Sequence, residues 1–218
     1  MKGVFNKRPS LPRYSSTWDV AKVLHYLRSL SPVDRLSLKF LSYKLSMLIS
    51  LTLACRTQAL FYLDIRNMIK SKEGYTLMYS GLLKHCKPGK DNPVAFLKSY
   101  PPDRGLCVIR VLKEYLKRTS LLRNQESRLF ISYMKPHKAV TKSTISRWLR
   151  NVMVLSGINV DLFKPHSIRG AASSKAKREA VPMDQILSTA GWTNSKTFAE
   201  FYNKPVGEVR NFADAVLQ

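Results

Sequence analysis

Four side chains in the last quarter of the chain are of types that handle phosphate. His166 and Arg169 stand three residues apart in "KPHSIRGAASSKA". Trp192 follows a glycine, and Tyr202 comes ten residues after the tryptophan in "AGWTNSKTFAEFY". At i and i+3 on a helix, His166 and Arg169 face the same side. The Lys164-Pro165 pair before them puts both in the first turn, where free backbone N–H groups and the helix dipole favour anions. Two cations suit a helix N-terminus badly and suit a phosphate bound there well. A capping histidine and a surface arginine are the plainer alternative. Tyr202 is expected to share an apolar helix face with Phe198 and Phe201, the usual pattern of a core tyrosine. As a nucleophile, a phenol is weak near neutral pH and needs cations around it. Trp192 would wall such a site and offer its indole N–H to a phosphate oxygen.

Further cations lie upstream. Arg56 ends the most apolar stretch, "LSMLISLTLAC", where an unpaired buried charge costs several kcal/mol. One reading pairs it with Asp64. The other aims its guanidinium fork at two phosphate oxygens. In "GLLKHCKPGK", Lys84 and His85 sit where a strand should end, and Lys87 and Lys90 follow in a Pro-Gly turn. Such a basic hairpin either reaches a nucleic-acid groove or cleft, or touches phosphate without specificity.

The elements that must position these residues are mostly helical. Residues 1–16 hold two prolines and no apolar period, and are expected to be an extended arm or linker. Ser16 or Thr17 should cap a helix through "WDVAKVLHYLRSL". "SPVD" should start the next, with Pro32 in its first turn. That helix is apolar nearly all round by 45–54, which makes it central. Residues 64–100 carry Gly, Pro and Asn-Pro punctuation between short Ile-, Tyr-, Leu- and Val-rich runs, predicting about three antiparallel strands. Helical spacing returns in "DRGLCVIRVLKEYLKRTS" and over 141–156, capped by Thr141. Lys142 and Arg147 on that last helix are candidate DNA contacts. The final third reads as short helices split at Gly157, Pro165, Pro182, Gly191 and Pro205. The fold class is therefore mostly α with a small inserted antiparallel sheet, α+β.

Composition narrows the function. The 218 residues include 37 Lys and Arg against 14 Asp and Glu, a formal net charge of +23. Residues 81–150 carry 16 basic against 4 acidic residues, about twice the density of positive charge elsewhere. A polyanion is the expected partner, because each neutralised phosphate releases counterions. A merely solvated basic face, or anionic lipid, is the competing explanation. At 44% hydrophobic, the chain can build a core, so it is not a disordered basic tail. The longest apolar run has eleven residues, against the roughly 20 that span a bilayer. No signal-peptide pattern opens the chain. Three cysteines without CxxC spacing read as reduced thiols of an intracellular protein. Scattered histidines without a Cys/His cluster argue against structural zinc.

In order, Arg56, Lys84, His166, Arg169, Trp192 and Tyr202 resemble the active-site set of the tyrosine recombinases, the phage-integrase family: Arg, Lys, His-x-x-Arg, His or Trp, then Tyr. "LLKHCKPGK", "YPPDRGLCVIRVLKEYLKRT" and "GWTNSKTFAEFYNKP" are similar to the recombinases of DIRS-type retroelements and Crypton-like transposons. The resemblance covers essentially the whole chain. It departs from bacterial members in three places. "LTLAC" stands where they have a Thr-Gly pair before the first arginine, Gln58 replaces a Ser or Glu, and Trp192 replaces the commoner His. Only the Pro-rich arm precedes the first catalytic-domain helix, so a catalytic domain without the family's core-binding domain is expected.

The resemblance implies a tyrosine recombinase catalytic domain over 17–205, after the arm 1–16. It implies a C-terminal tail helix over 206–218 that is exchanged between protomers or packs on its own domain. The partners implied are double-stranded DNA and further copies, as a tetramer on paired sites, with no membrane. Tyr202 would form a 3′-phosphotyrosyl link, with Arg56 and Arg169 on the non-bridging oxygens and Lys84 protonating the leaving 5′-oxygen. His166 would assist as acid/base or hydrogen-bond partner, and Trp192 would support the phosphate pocket. No metal or small-molecule cofactor is implied. DNA integration by a mobile element, in a nucleus, is the expected setting. A DNA-binding relic without catalysis and a type IB topoisomerase are the alternatives. A metal-dependent DDE transposase is disfavoured, because no convincing acidic triad appears.

Overall fold

The computed structural model describes residues 12–83, 86, 89, 93–192 and 194–207. The first helix, α1 (Val20–Ser29), begins at Asp19, whose carboxylate accepts the Ala21 N–H at 2.9 Å. The expected cap at Ser16 or Thr17 is corrected by this shorter-range bond, and Thr17 is engaged elsewhere. "SPVD" gives only a short 3-10 turn, Val33–Arg35. The long helix α2 (Leu38–Thr52) starts afterwards, because the Ser37 hydroxyl accepts the Phe40 N–H.

Helix α2 is the axis of the fold. Every residue from Leu41 to Ser50 is buried. Its buried serines satisfy themselves on the helix's own carbonyls: Ser42 donates to Leu38 at 2.7 Å and Ser50 to Ser46 at 2.8 Å. Around it pack α4 (Val108–Thr119), α5 (Lys142–Leu155) and α6 (Ser167–Arg178). Thr141 caps α5 as expected, accepting the Thr144 N–H at 3.2 Å. The aromatic centre of this core is Trp148, set among Tyr43, Phe130 and Tyr133.

After α2 comes one short helix, α3 (Thr57–Tyr62), and then the sheet. Its strands are β1 (Leu63–Lys70), β2 (Gly74–Tyr79) and β3 (Ala95–Lys98), antiparallel in the order β1-β2-β3. The β1–β2 register is irregular between Asp64 and Ile69. Gly74 faces Lys98 so closely that a Cβ there would lie 2.0 Å from the Leu97 carbonyl oxygen, so no other residue fits without moving the strand. The chain closes with α7 (Met183–Ala190) and α8 (Ser195–Phe201). This is the mostly helical α+β class with a small inserted sheet that the sequence predicts. Among the described residues, no helix is long and apolar enough to cross a membrane.

Candidate active site

Arg56 is the N-cap residue of α3, placed by the turn that ends α2. Inside that turn Ala54 has φ 43°, in the left-handed region that costs any residue with a Cβ. This kink falls where the expected Thr-Gly pair is missing. Arg56 does not pair with Asp64. That carboxylate is taken by Arg66, at 2.8 Å from Nη2 and 3.2 Å from Nε, and by the Ser127 hydroxyl at 3.0 Å. Burial pushes the Asp64 carboxyl up, but these hydrogen bonds outweigh it and hold it below the usual range. Among the described residues, Arg56 has no carboxylate within ion-pair distance.

His166 is the N-cap residue of α6 and Arg169 lies in its first turn, so the His-x-x-Arg spacing spans the helix start. His166 is exposed, whereas Arg169 is only 3% exposed. The Arg169 Nη1 donates to the Ala54 carbonyl at 3.3 Å, which ties the two arginine-bearing segments together. Its Nε and Nη2 are buried without a hydrogen-bond partner among the described residues. Burial first, and then the like charge of Arg56, pulls the guanidinium down to about 10, while nearby Tyr202 acts the other way. A buried cation with two unanswered donors beside a second cation is the electrostatic complement of an anion.

Gly191 ends α7 in the left-handed conformation, φ 66° and ψ 42°. The reversal lets the Trp192 N–H bond the Leu187 carbonyl at 2.9 Å and swings the indole over Arg169. The guanidinium carbon lies 4.2 Å from the ring centroid, and the indole Nε1 is buried without a hydrogen-bond partner among the described residues. Asn194 caps α8, accepting the Lys196 N–H at 2.7 Å, and Tyr202 is the residue that ends it. The shared face expected of Phe198, Phe201 and Tyr202 is corrected here. Phe198 is fully buried against Trp192, whereas Phe201 and Tyr202 are half-buried at the helix end. The Tyr202 ring lies 4.5 Å from Trp192, 5.6 Å from the Arg169 guanidinium carbon and 6.4 Å from the His166 ring.

Arg169 and Tyr202 line two different hollows. The first, a cleft of about 90 Å³, is lined by Arg56, Arg169, Cys55, Leu83, Pro93 and the end of α7. Burial pushes the Cys55 thiol up to about 12, against the pull of Arg169, so it lines the cleft as a neutral group. The second, about 320 Å³, is lined by His166, Tyr202, Phe201, Lys204 and the arm residues Arg13 and Tyr14. Lys84, His85, Lys87 and Lys90 lie outside the described residues; their described neighbours Leu83 and Pro93 border the arginine cleft. Lys142 and Arg147 are exposed on α5 and line neither hollow. Lys142 holds its ammonium 5.3 Å from the Phe61 ring, which Arg128 also covers at 3.9 Å.

The whole span from residue 21 to residue 206 matches the model of the phage integrase family. The chain belongs to that family. Its fold is that of solved tyrosine recombinases. XerA recombinase superposes with a TM-score of 0.64 at 14% identity, over 98% of this chain and 66% of that one. XerH site-specific recombinase, bound to its difH substrate before cleavage, gives 0.63 at 15% identity, over 86% of this chain and 49% of XerH. A lambda integrase dimer bound to a COC′ core site gives 0.55 at 13% identity, over 90% and 50%. The chain thus spans from about half to two thirds of the length of these phage-integrase relatives. Comparison with curated protein sequences gives no match.

Sequence reasoning missed two features of the site. The Ala54 backbone was not foreseen, although the departure from Thr-Gly at that point was its signal. Ser174, which holds the main chain at Tyr202, looks in sequence like any serine of a helix.

Proposed function

We propose that this phage-integrase family chain breaks and rejoins DNA strands through a phosphotyrosyl intermediate on Tyr202. The observation that carries the reading is the buried Arg169, with Nε and Nη2 unanswered, beside Arg56 and within 5.6 Å of the Tyr202 ring. The Tyr202 oxygen attacks the scissile phosphorus, and the phosphorus–5′-oxygen bond breaks. Arg56 and Arg169 hold the non-bridging oxygens and stabilise the charge that develops there. The Trp192 N–H adds a further donor. Lys84 delivers the proton to the leaving 5′-oxygen, and His166 takes part in moving the phenol proton. A 5′-hydroxyl then reverses the step, so the phosphate bond energy is kept and no nucleotide is consumed.

The charges on the phosphate are met by side chains, so the proposed reaction needs no divalent metal. The basic middle of the chain, with Lys87, Lys90, Lys142 and Arg147, is proposed to follow the DNA backbone. Assembly on paired sites and service to a mobile element in a nucleus belong to the same proposal. The test is incubation with nicked duplexes from a randomised library, with EDTA present, followed by a denaturing gel. Wild type should give a protein–DNA adduct and Tyr202→Phe none. Binding without adduct would favour a DNA-binding relic, and relaxation of plasmid without site preference would favour a topoisomerase.

A further inference from the structure

The chain leaving Tyr202 is gripped from two sides. On one side stands Ser174, fully buried on α6, five residues after Arg169. Its hydroxyl donates to the Tyr202 carbonyl and accepts the Lys204 N–H at 3.1 Å. Both hydrogen-bonding roles of one hydroxyl are thus spent on the two residues that flank Asn203. On the other side is Thr17, just before α1. The Thr17 N–H donates to the Pro205 carbonyl at 2.7 Å, and the Gly207 N–H donates to the Thr17 carbonyl at 3.0 Å. The next residue, Trp18, is buried and donates from Nε1 to the Ser167 hydroxyl at 2.9 Å, beside His166.

Tyr202 needs such a grip on its main chain because its own helix ends before it. Helix α8 is only seven residues long and ends at Phe201. The last helical bonds are those from the Tyr202 and Asn203 N–H groups to the Phe198 carbonyl. Past that point the tyrosine's main chain is outside the helix. Ser174 sits on the same helix as Arg169, so its two bonds fix the main chain at Tyr202 in the frame of the arginine.

We propose that Ser174 is a positioning residue for Tyr202, setting the distance and angle at which the phenol meets the phosphate. The inference rests on the reading of Tyr202 as the nucleophile. Ser174 touches no reacting atom. Displacement of a nucleophile by an ångström lowers the rate of attack by about 100-fold while leaving binding intact.

The test compares wild type, Ser174→Ala, Ser174→Thr and Ser173→Ala on nicked DNA under single-turnover conditions. Ser173 is the control, since among the described residues its hydroxyl bonds only to carbonyls of its own helix, at Arg169 and Gly170. Ser174→Ala should form adduct about 10- to 100-fold more slowly, with DNA affinity unchanged. Ser174→Thr, which keeps the hydroxyl, should recover most of the rate. Ser173→Ala should match wild type. The same loss should appear on a substrate whose leaving 5′-oxygen is replaced by sulfur. Sulfur departs without a proton, so that substrate isolates the attack of Tyr202. Hydrogen exchange should show the Lys204 amide protected in wild type and released in Ser174→Ala. Release of that amide with an unchanged adduct rate would overturn the inference. So would a loss confined to the oxygen substrate, or an alanine and a threonine variant equally impaired. A wild-type protein that forms no adduct would overturn the functional reading itself, and this inference with it.

Discussion

Arg169 lies over Trp192, its guanidinium carbon 4.2 Å from the ring centroid, and among the described residues neither the arginine's Nε and Nη2 nor the indole Nε1 has a hydrogen-bond partner. The aromatic face compensates part of the cost of burying the cation. It leaves all three donors unanswered, and a phosphate would answer them.

An anion should therefore stabilise the protein. Pyrophosphate or sulfate at about 100 times its dissociation constant should add about 2.7 kcal/mol. A chain of this size should then melt several degrees higher. Arg169→Lys should lose most of that shift, because an ammonium lacks the fork that meets two oxygens. Thermal melts with and without the anion check this, and an equal shift in both proteins would contradict it.

Ala54→Gly should stabilise the fold. Elsewhere such a change costs roughly 0.5–1 kcal/mol through the entropy of the unfolded chain. At φ 43° the alanine pays a steric penalty that glycine does not. The denaturant midpoint should rise, by about 0.5 kcal/mol in stability. A fall would mean that the turn before Arg56 is not strained.

Trp192→Phe should keep the ring and lose the N–H. Adduct formation should fall about 10- to 100-fold if that N–H meets an oxygen in the transition state. Trp192→His, which restores a donor, should recover part of the rate. Single-turnover kinetics distinguish these outcomes from a packing effect, in which histidine would be worse than phenylalanine.

Lys44 makes stability depend on pH. It is fully buried in α2, donates to the Leu30 carbonyl at 2.6 Å, and burial pulls its ammonium down to about 8. The unfolded chain holds this proton more tightly than the folded one. Between about pH 8 and the usual lysine value, stability should therefore rise with pH. Relative to wild type, Lys44→Met should lack that rise. Urea titrations at about pH 7.5 and about pH 9.5, which cover about 1.5 units of this window, measure the difference.

Much of this molecule was legible because local chemistry and fold agreed. The all-round apolar run of α2, the Thr141 cap and the Gly and Pro breaks of the final third each follow from side chains acting within a few residues. The helix starts at α1 and α2 depart from the sequence expectation because several Ser, Thr and Asp residues compete there, and the geometry that selects Asp19 and Ser37 is not in their types. Arg56 could not be separated from Asp64 by spacing alone, since the choice depends on Arg66 and Ser127 reaching the carboxylate first. The convergence of His166, Arg169, Trp192 and Tyr202 was expected from type and order. The bond from Arg169 to the carbonyl of Ala54 joins residues 115 positions apart and has no local signal.

The most direct test of the account is to find which atom carries the DNA. Adduct formed on nicked duplex should be digested with protease and nuclease, and the remaining nucleotide located by mass spectrometry. The account predicts a nucleotide joined through its 3′-phosphate to the peptide containing Tyr202, in amounts unchanged by EDTA and absent from Tyr202→Phe. A nucleotide on any other residue, or cleavage of DNA that requires a metal and leaves no covalent link, would contradict it.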